Sequence, residues 1–183
     1  MKPIWSYTLA WLLAASAAVA MASAAPSELS VMGQLPSFTG QTLDRQAIAV
    51  PEGLPADRTL ALITFRGTQK PHIDSWIQGL NLRADRSIVW MRMPVLDDPG
   101  STAGRQAVEA KLLQRYPGQA ERANLVPVFT NRAQFLRSAG LNGPNQVYAV
   151  VVNRQGEVLA RAEGAFDAER AQNLRETLQQ QGL

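Results

Sequence analysis

The chain has 183 residues, with no cysteine and a single histidine, His72. Thiol nucleophiles, disulfide exchange and cysteine-based metal sites are therefore excluded, and so are sites with several histidine ligands. The net charge of +3 comes from 18 basic and 15 acidic residues. The basic residues are scattered along the chain, so we expect no nucleic-acid partner.

The first 24 residues have the pattern of an export signal. Lys2 supplies a positive charge, an apolar stretch follows over residues 9–22, and the small residues at 20–24 fit an A-x-A cleavage site. We expect residues 1–24 to be removed and the protein to be periplasmic or secreted. The alternative is an uncleaved signal that anchors the chain in the inner membrane, and no further membrane span is expected.

The region after the signal divides into a lead-in segment, residues 25–58, and a domain over residues 59–183. The lead-in is rich in proline and glycine, with one or two short predicted strands. The domain begins with a continuous apolar run at residues 60–65, which predicts a buried strand. A helix should follow from Pro71, and another strand at residues 88–95 completes a βαβ unit with parallel strands.

The second half predicts two more helices, a β-hairpin and a last helix. The predicted elements are a helix from Ser101 or Thr102 to Arg115, a strand at 125–130, a helix capped by Asn131 and closed by Gly140, hairpin strands at 147–152 and 157–162, and a final helix capped by Asp167. This order indicates an α/β domain with a central mixed sheet and helices on both faces.

Short sequence segments of the chain resemble one protein family. Leu35–Phe38 is similar to the "lPdF" opening of exported thioredoxin-like and peroxiredoxin-like proteins. Residues 147–158 are similar to their "ttflIDrdGki" hairpin, and Gly164 with the last helix is similar to their carboxyl-terminal end. The resemblance covers most of the chain after residue 24 and implies a thioredoxin-like fold.

The chain departs from this family at both halves of the redox site. Counting from Phe65, the C-x-x-C positions hold Lys70, Pro71, His72 and Ile73. The position of the family's cis-proline, counted back from the hairpin turn, holds Val147. The comparison therefore implies no oxidoreductase, peroxidase or isomerase activity by the family mechanism. We expect no catalytic residue, no metal and no cofactor.

A more distant resemblance is to the assembly-factor family of the mitochondrial ATP synthase, whose members are also thioredoxin-like. It rests on residues 63–66 with Ser75 and Trp76, residues 127–131 with Phe135, and the hairpin from residue 147 to Gly164. This resemblance implies a role in assembling other proteins.

Three cations lie near the junction between the first domain strand and the first helix: Arg66, Lys70 and His72. A helix amino end favours anions, so these side chains could bind a carboxylate or phosphate. The alternative is that they are solvated loop residues, and Pro71 removes one backbone donor. Trp76 and Trp90 are expected to be packing residues, and the Asp97–Gly100 string is expected to form a turn.

These observations predict an exported, redox-inactive thioredoxin-like protein that acts by binding, as an adaptor or as an assembly or chaperone factor. The partner is expected to be another envelope protein. The candidate binding residues are Arg66, Lys70, His72 and Val147. The alternative function is a small-anion binder or a non-redox enzyme that uses Arg66, Lys70 and His72.

Overall fold

The computed structural model describes residues 31–180, and the predicted signal at residues 1–24 lies outside them. The described residues form seven strands and five helices. The strands are β1 (Phe38–Gln41), β2 (Ala47–Val50), β3 (Arg58–Thr64), β4 (Trp90–Asp97), β5 (Val128–Thr130), β6 (Tyr148–Asn153) and β7 (Val158–Glu163). The helices are α1 (Lys70–Gly79), α2 (Thr102–Arg115), α3 (Gln119–Ala123), α4 (Arg132–Ser138) and α5 (Ala168–Gln179).

Five strands form a mixed sheet in the order β5-β4-β3-β6-β7. Strand β3 is parallel to β4, and β4 is parallel to β5, whereas β6 is antiparallel to both β3 and β7. Leu60 of β3 pairs with Trp90 on one side and with Val151 on the other. The predicted βαβ unit and the predicted hairpin are therefore both confirmed.

Both faces of the sheet are buried, which explains why β3 and β6 are continuous apolar runs in the sequence. In β6, Tyr148 and Val150 contact one core layer and Ala149 and Val151 contact the other, and all four are 0% exposed. Helices α1 and α5 cover the Ala149 side, and α4 covers the opposite side together with β1 and β2. Helices on both faces are thus confirmed.

The lead-in segment contributes a two-stranded ribbon to this core. Strands β1 and β2 are antiparallel, with Phe38 opposite Val50. Leu35, Val50 and Leu54 are at most 2% exposed and pack with the buried side chains of β3. Residues 31–58 accordingly belong to the same compact unit as the sheet. Between residues 31 and 180, no helix combines the length and the apolarity needed to cross a bilayer.

The predicted helix caps are present. Ser101, Asn131 and Asp167 each accept a hydrogen bond at their side-chain oxygen from the backbone N–H three residues later, at 2.9 to 3.1 Å. Gly140 closes α4 with a φ of +66°, a conformation that favours glycine.

Two local predictions were wrong, and one helix was not predicted. Strand β4 begins at Trp90 rather than residue 88, because pairing with β3 begins there. The strand predicted at 125–130 is reduced to Val128–Thr130, since Pro127 has no N–H for the ladder and Leu125 forms only an isolated bridge. Helix α3 was not predicted because its five residues, Gln119–Ala123, have no apolar periodicity.

Candidate functional site

The candidate site lies where parallel strands β3 and β4 end at the same edge of the sheet. After β3 the chain passes through Arg66 and a 3-10 turn, Gly67–Gln69, directly into α1. Pro71 occupies the first turn of α1, where its missing N–H has no helical partner to lose. This path brings the side chains of Arg66 and Lys70 to one side of the strand–helix junction.

Gln69 stabilises this junction through hydrogen bonds, a role that was not predicted from the sequence. Its side chain is buried, and its Oε1 accepts hydrogen bonds from the backbone N–H groups of Phe65 at 2.8 Å and Arg66 at 3.1 Å. Its Nε2 donates to the carbonyl oxygens of Pro144 at 2.9 Å and Gln146 at 3.2 Å. One amide therefore joins the end of β3 to the segment that leads into β6.

A cleft of about 60 Å³ opens beside this junction, and we call it the α1 cleft. Its charged lining consists of three cations, Arg66, Lys70 and Arg115, and no carboxylate lines it. The remaining walls are formed by Thr64, Phe65, Gly67, Pro94, Leu96, Leu112 and Tyr116. A cleft with lining charges of one sign favours an anionic group.

Lys70 is oriented by Asp74 and Tyr116. Its Nζ lies 2.6 Å from a carboxylate oxygen of Asp74 and 5.6 Å from the centre of the Tyr116 ring. Because α1 begins at Lys70, Asp74 lies one turn into the helix, where it pairs with Lys70.

Asp74 also binds the buried Arg92. The Nη2 of Arg92 donates to Asp74 at 2.8 Å and lies 3.8 Å from Glu121, and its guanidinium lies 5.2 Å from the centre of the Tyr116 ring. Partial burial alone raises the pKa of the Asp74 carboxyl. The hydrogen bonds and positive charges of Lys70 and Arg92 outweigh that effect and hold the pKa below its ordinary value of 3.8.

Arg115 reaches the cleft because residue 67 is glycine. A Cβ atom on Gly67 would lie 2.0 Å from Nη1 of Arg115, so the guanidinium occupies space that any side chain at position 67 would take. Arg115 is the last residue of α2, as predicted from the sequence. Its approach to Gly67 is a long-range contact without a local sequence signal.

The structure separates the four predicted binding residues. Arg66 and Lys70 line the α1 cleft together. His72 is exposed on α1 but does not line the cleft. Val147 is 0% exposed and packs into the core with Ala149 and Val151, so its side chain does not contribute to a surface.

The other motifs have structural roles. The Trp76 and Trp90 side chains donate hydrogen bonds to backbone carbonyls at 2.9 and 3.0 Å and pack in the core, as predicted. Asp97 pairs with Arg132 at 3.0 Å. Among residues 31–180, no group of three or more histidine, cysteine or carboxylate side chains could hold a metal ion.

Larger grooves lie away from the junction. One of about 570 Å³ lies between the β1–β2 ribbon and β5, and its charged lining is Arg105 and Glu109. Another of about 550 Å³ lies beside Trp90, and its charged lining is Asp85 and Arg86. Each groove combines opposite charges, whereas the α1 cleft has cations alone.

No family model and no curated protein sequence matches the chain. Solved structures do match it. BsSco, a member of the Sco family of cytochrome c oxidase assembly proteins, aligns with a TM-score of 0.53 and 16% identity, over 80% of this chain and 94% of BsSco. A candidate electron transfer protein from Aquifex aeolicus VF5 aligns with a TM-score of 0.56 and 12% identity, over 82% and 99% of the two chains. The chain has a thioredoxin-like fold. At these identities the likeness establishes the fold alone.

The sequence resemblance to thioredoxin-like proteins aligns residues 70–73 with the C-x-x-C motif of the redox-active members. These residues form the first turn of α1. Lys70, at the first of the two cysteine positions, lines the α1 cleft, and Ile73, at the second, is 1% exposed. On that alignment, the α1 cleft adjoins the position of the C-x-x-C.

Proposed function

We propose that this chain is an exported thioredoxin-like protein without redox activity, which acts by binding another protein of the cell envelope. Its role is that of an adaptor or of an assembly or chaperone factor. Thiol chemistry is excluded because none of the 183 residues is cysteine and the thiolate is the reactive species. The envelope location rests on the predicted signal at residues 1–24, and an uncleaved signal would leave the protein anchored in the inner membrane.

The size and charge of the α1 cleft carry this proposal. Its volume is about 60 Å³. Pockets that enclose small molecules measure roughly 300–1,000 Å³. The cleft can accept one polar group of a larger molecule, and its cationic lining selects an anionic group. A protein partner supplies such a group together with the contact surface that the cleft lacks.

The assembly role is an analogy. BsSco is named as a member of a family of cytochrome c oxidase assembly proteins, and the sequence also resembles an assembly-factor family. A shared fold does not establish a shared function. The proposal of an assembly role therefore depends on identifying the partner.

Crosslinking in living cells tests the proposed function. The full-length tagged chain is crosslinked, captured and analysed by mass spectrometry, beside the double variant Arg66→Gln with His72→Gln. The control, Arg86→Gln with Arg137→Gln, removes two exposed cations elsewhere. We expect one envelope protein to be enriched by the wild type and the control and reduced with the first variant. If no envelope protein is enriched over an unrelated exported protein, the proposal is wrong.

The second candidate function is a small-anion binder or a non-redox enzyme at Arg66, Lys70 and His72. The cation-only lining of the cleft supports it. A specific site for inorganic phosphate would raise the unfolding midpoint through mass action, and sodium chloride at equal ionic strength would not. A phosphate-dependent rise that Arg66→Gln abolishes would favour this candidate over the protein-binding role.

A further inference from the structure

The two arginines of the α1 cleft differ from most charged residues near it. Lys70, Arg92 and Asp74 are paired with one another. Among the ion pairs of residues 31–180, none includes Arg66 or Arg115. Both residues nevertheless line one cleft that contains no carboxylate. The cleft therefore brings together two cations whose charge the described residues leave without an ionic partner.

The position of Arg66 is fixed by its backbone. Its N–H donates to the buried Gln69 amide, which is itself bonded to the segment before β6. The Arg115 guanidinium reaches Gly67, where no side chain intervenes. The fold therefore brings both arginines to the same cleft, one from the end of β3 and one from the end of α2.

The other walls of the cleft are largely apolar. Leu96, Leu112 and Pro94 are apolar, and the Tyr116 ring is flanked by Lys70 and Arg92. The planar guanidinium also matches the planar carboxylate, with which it can form two parallel hydrogen bonds.

From this geometry we infer that the α1 cleft is a binding site for an aspartate or glutamate side chain of the partner, received between Arg66 and Arg115. The inference rests on the proposed function, which it deepens by naming the partner's chemistry. The partner presents an acidic segment to the amino end of α1, and the rest of that segment contacts the surface around the cleft.

The test is a ligand-observed NMR titration of the full chain. The protein is purified as the cell processes it, whether or not residues 1–24 are removed. The probes are three tetrapeptides: one with blocked ends and two glutamates, one with blocked ends and two glutamines, and the glutamine peptide with a free carboxyl end. We expect the glutamate peptide to bind and the glutamine peptide to show no saturation transfer. We also expect the peptide with the free carboxyl end to bind more weakly than the glutamate peptide.

Two variants distinguish binding at the cleft from nonspecific attraction to positive charge. Arg115→Gln removes one cation, whereas Gly67→Ala keeps every charge and displaces the Arg115 guanidinium, the flexible end of its side chain. We expect each variant to bind the glutamate peptide at least tenfold more weakly than the wild type. This factor corresponds to about 1.4 kcal/mol of binding free energy. The controls are Arg86→Gln and Gly143→Ala, the latter at a position where a Cβ meets nothing within 4 Å. Both controls should bind like the wild type.

Wild-type affinity in Arg115→Gln and Gly67→Ala would overturn the inference, and so would equal binding of the glutamine peptide. Tighter binding of the free carboxyl end would assign the cleft to a chain terminus and overturn it as well. The proposed function and the cleft assignment can be contradicted independently of each other. If cells yield a partner that Arg115→Gln retains, the cleft assignment is wrong and the binding role stands. If no partner is found but the glutamate peptide binds at the cleft, the binding role is wrong.

Discussion

At the scale of single residues, Gln69 determines the geometry of the candidate site. A glutamine amide has one acceptor and two donor hydrogens, and this buried side chain uses the acceptor twice and bonds two carbonyls. It links the junction after β3 to the segment before β6, two parts of the chain that are more than 70 residues apart. Arg66 consequently approaches the cleft from a fixed backbone.

Replacing this amide should destabilise the protein. We expect Gln69→Ala to lower the free energy of unfolding by about 2–3 kcal/mol, because it leaves the N–H of the buried Phe65 and the neighbouring Arg66 N–H without their acceptor. Gln78→Ala, at an exposed position of α1, should change it by less than about 0.5 kcal/mol. Urea unfolding measures both values. Equal stability of the two variants would show that the Gln69 bonds do not stabilise the junction.

Asp74 should make stability depend on pH. The pKa of its carboxyl lies below 3.8 in the folded protein because Lys70 and Arg92 bind the ionised form. A carboxyl with a lowered folded pKa stabilises the protein above its unfolded pKa, and this contribution is lost as the pH falls through the folded value.

The comparison of wild type with Asp74→Asn isolates this effect. We expect their difference in unfolding free energy to be constant above about pH 5 and to shrink as the pH falls below 3.8. Urea unfolding at a series of pH values measures it. A difference that stays constant down to pH 2.5 would contradict the ion pairs seen around Asp74.

At the scale of elements, the alignment of residues 70–73 with the C-x-x-C pattern concerns the amino end of α1. Residues three apart on a helix lie on the same face, with Cα atoms about 5 Å apart. Lys70 and Ile73 have this spacing at the start of α1. The comparison with the C-x-x-C pattern therefore makes a prediction that is independent of the binding role.

We expect the double variant Lys70→Cys with Ile73→Cys to form an intramolecular disulfide on mild oxidation, since this spacing is compatible with disulfide geometry. Thiol alkylation followed by mass spectrometry measures it. The control, Lys70→Cys with Gln78→Cys, places the thiols about 12 Å apart along the helix and should stay reduced. A double variant that keeps two free thiols would show that the alignment of residues 70–73 is wrong.

At the scale of the whole molecule, the described chain is a five-stranded sheet covered on both faces. Helices α1 and α5 form one layer, and α4 with the β1–β2 ribbon forms the other. This arrangement buries the core without disulfides, in agreement with a chain long enough to bury a sizeable core by itself. It leaves the edge with the α1 cleft accessible to a partner.

The export prediction belongs to the same scale. We expect the protein isolated from the cell envelope to begin at Ala25, because the A-x-A pattern at residues 22–24 places the cleavage site before it. Intact-mass measurement with amino-terminal peptide mapping decides this. A chain that still contains residues 1–24 would favour the anchored alternative, and a chain found only in the cytoplasm would contradict export.

The sequence by itself determined the order of the main elements, the parallel βαβ unit, the hairpin, three helix caps and the absence of thiol chemistry. These features follow from local patterns: the apolar runs of β3 and β6, the caps Ser101, Asn131 and Asp167, and composition. It also identified Arg66 and Lys70, because both are close to the junction along the chain.

Only the tertiary structure decided which side chains share the cleft. Arg115 enters it from another helix through a close approach to Gly67, and Gln69 fastens the junction to residues more than 70 positions away. Val147, selected by counting along the sequence, is buried in the core. Long-range packing has no local sequence pattern, because it depends on how separate elements meet around one core. The charge and size of the site are therefore properties of the folded chain.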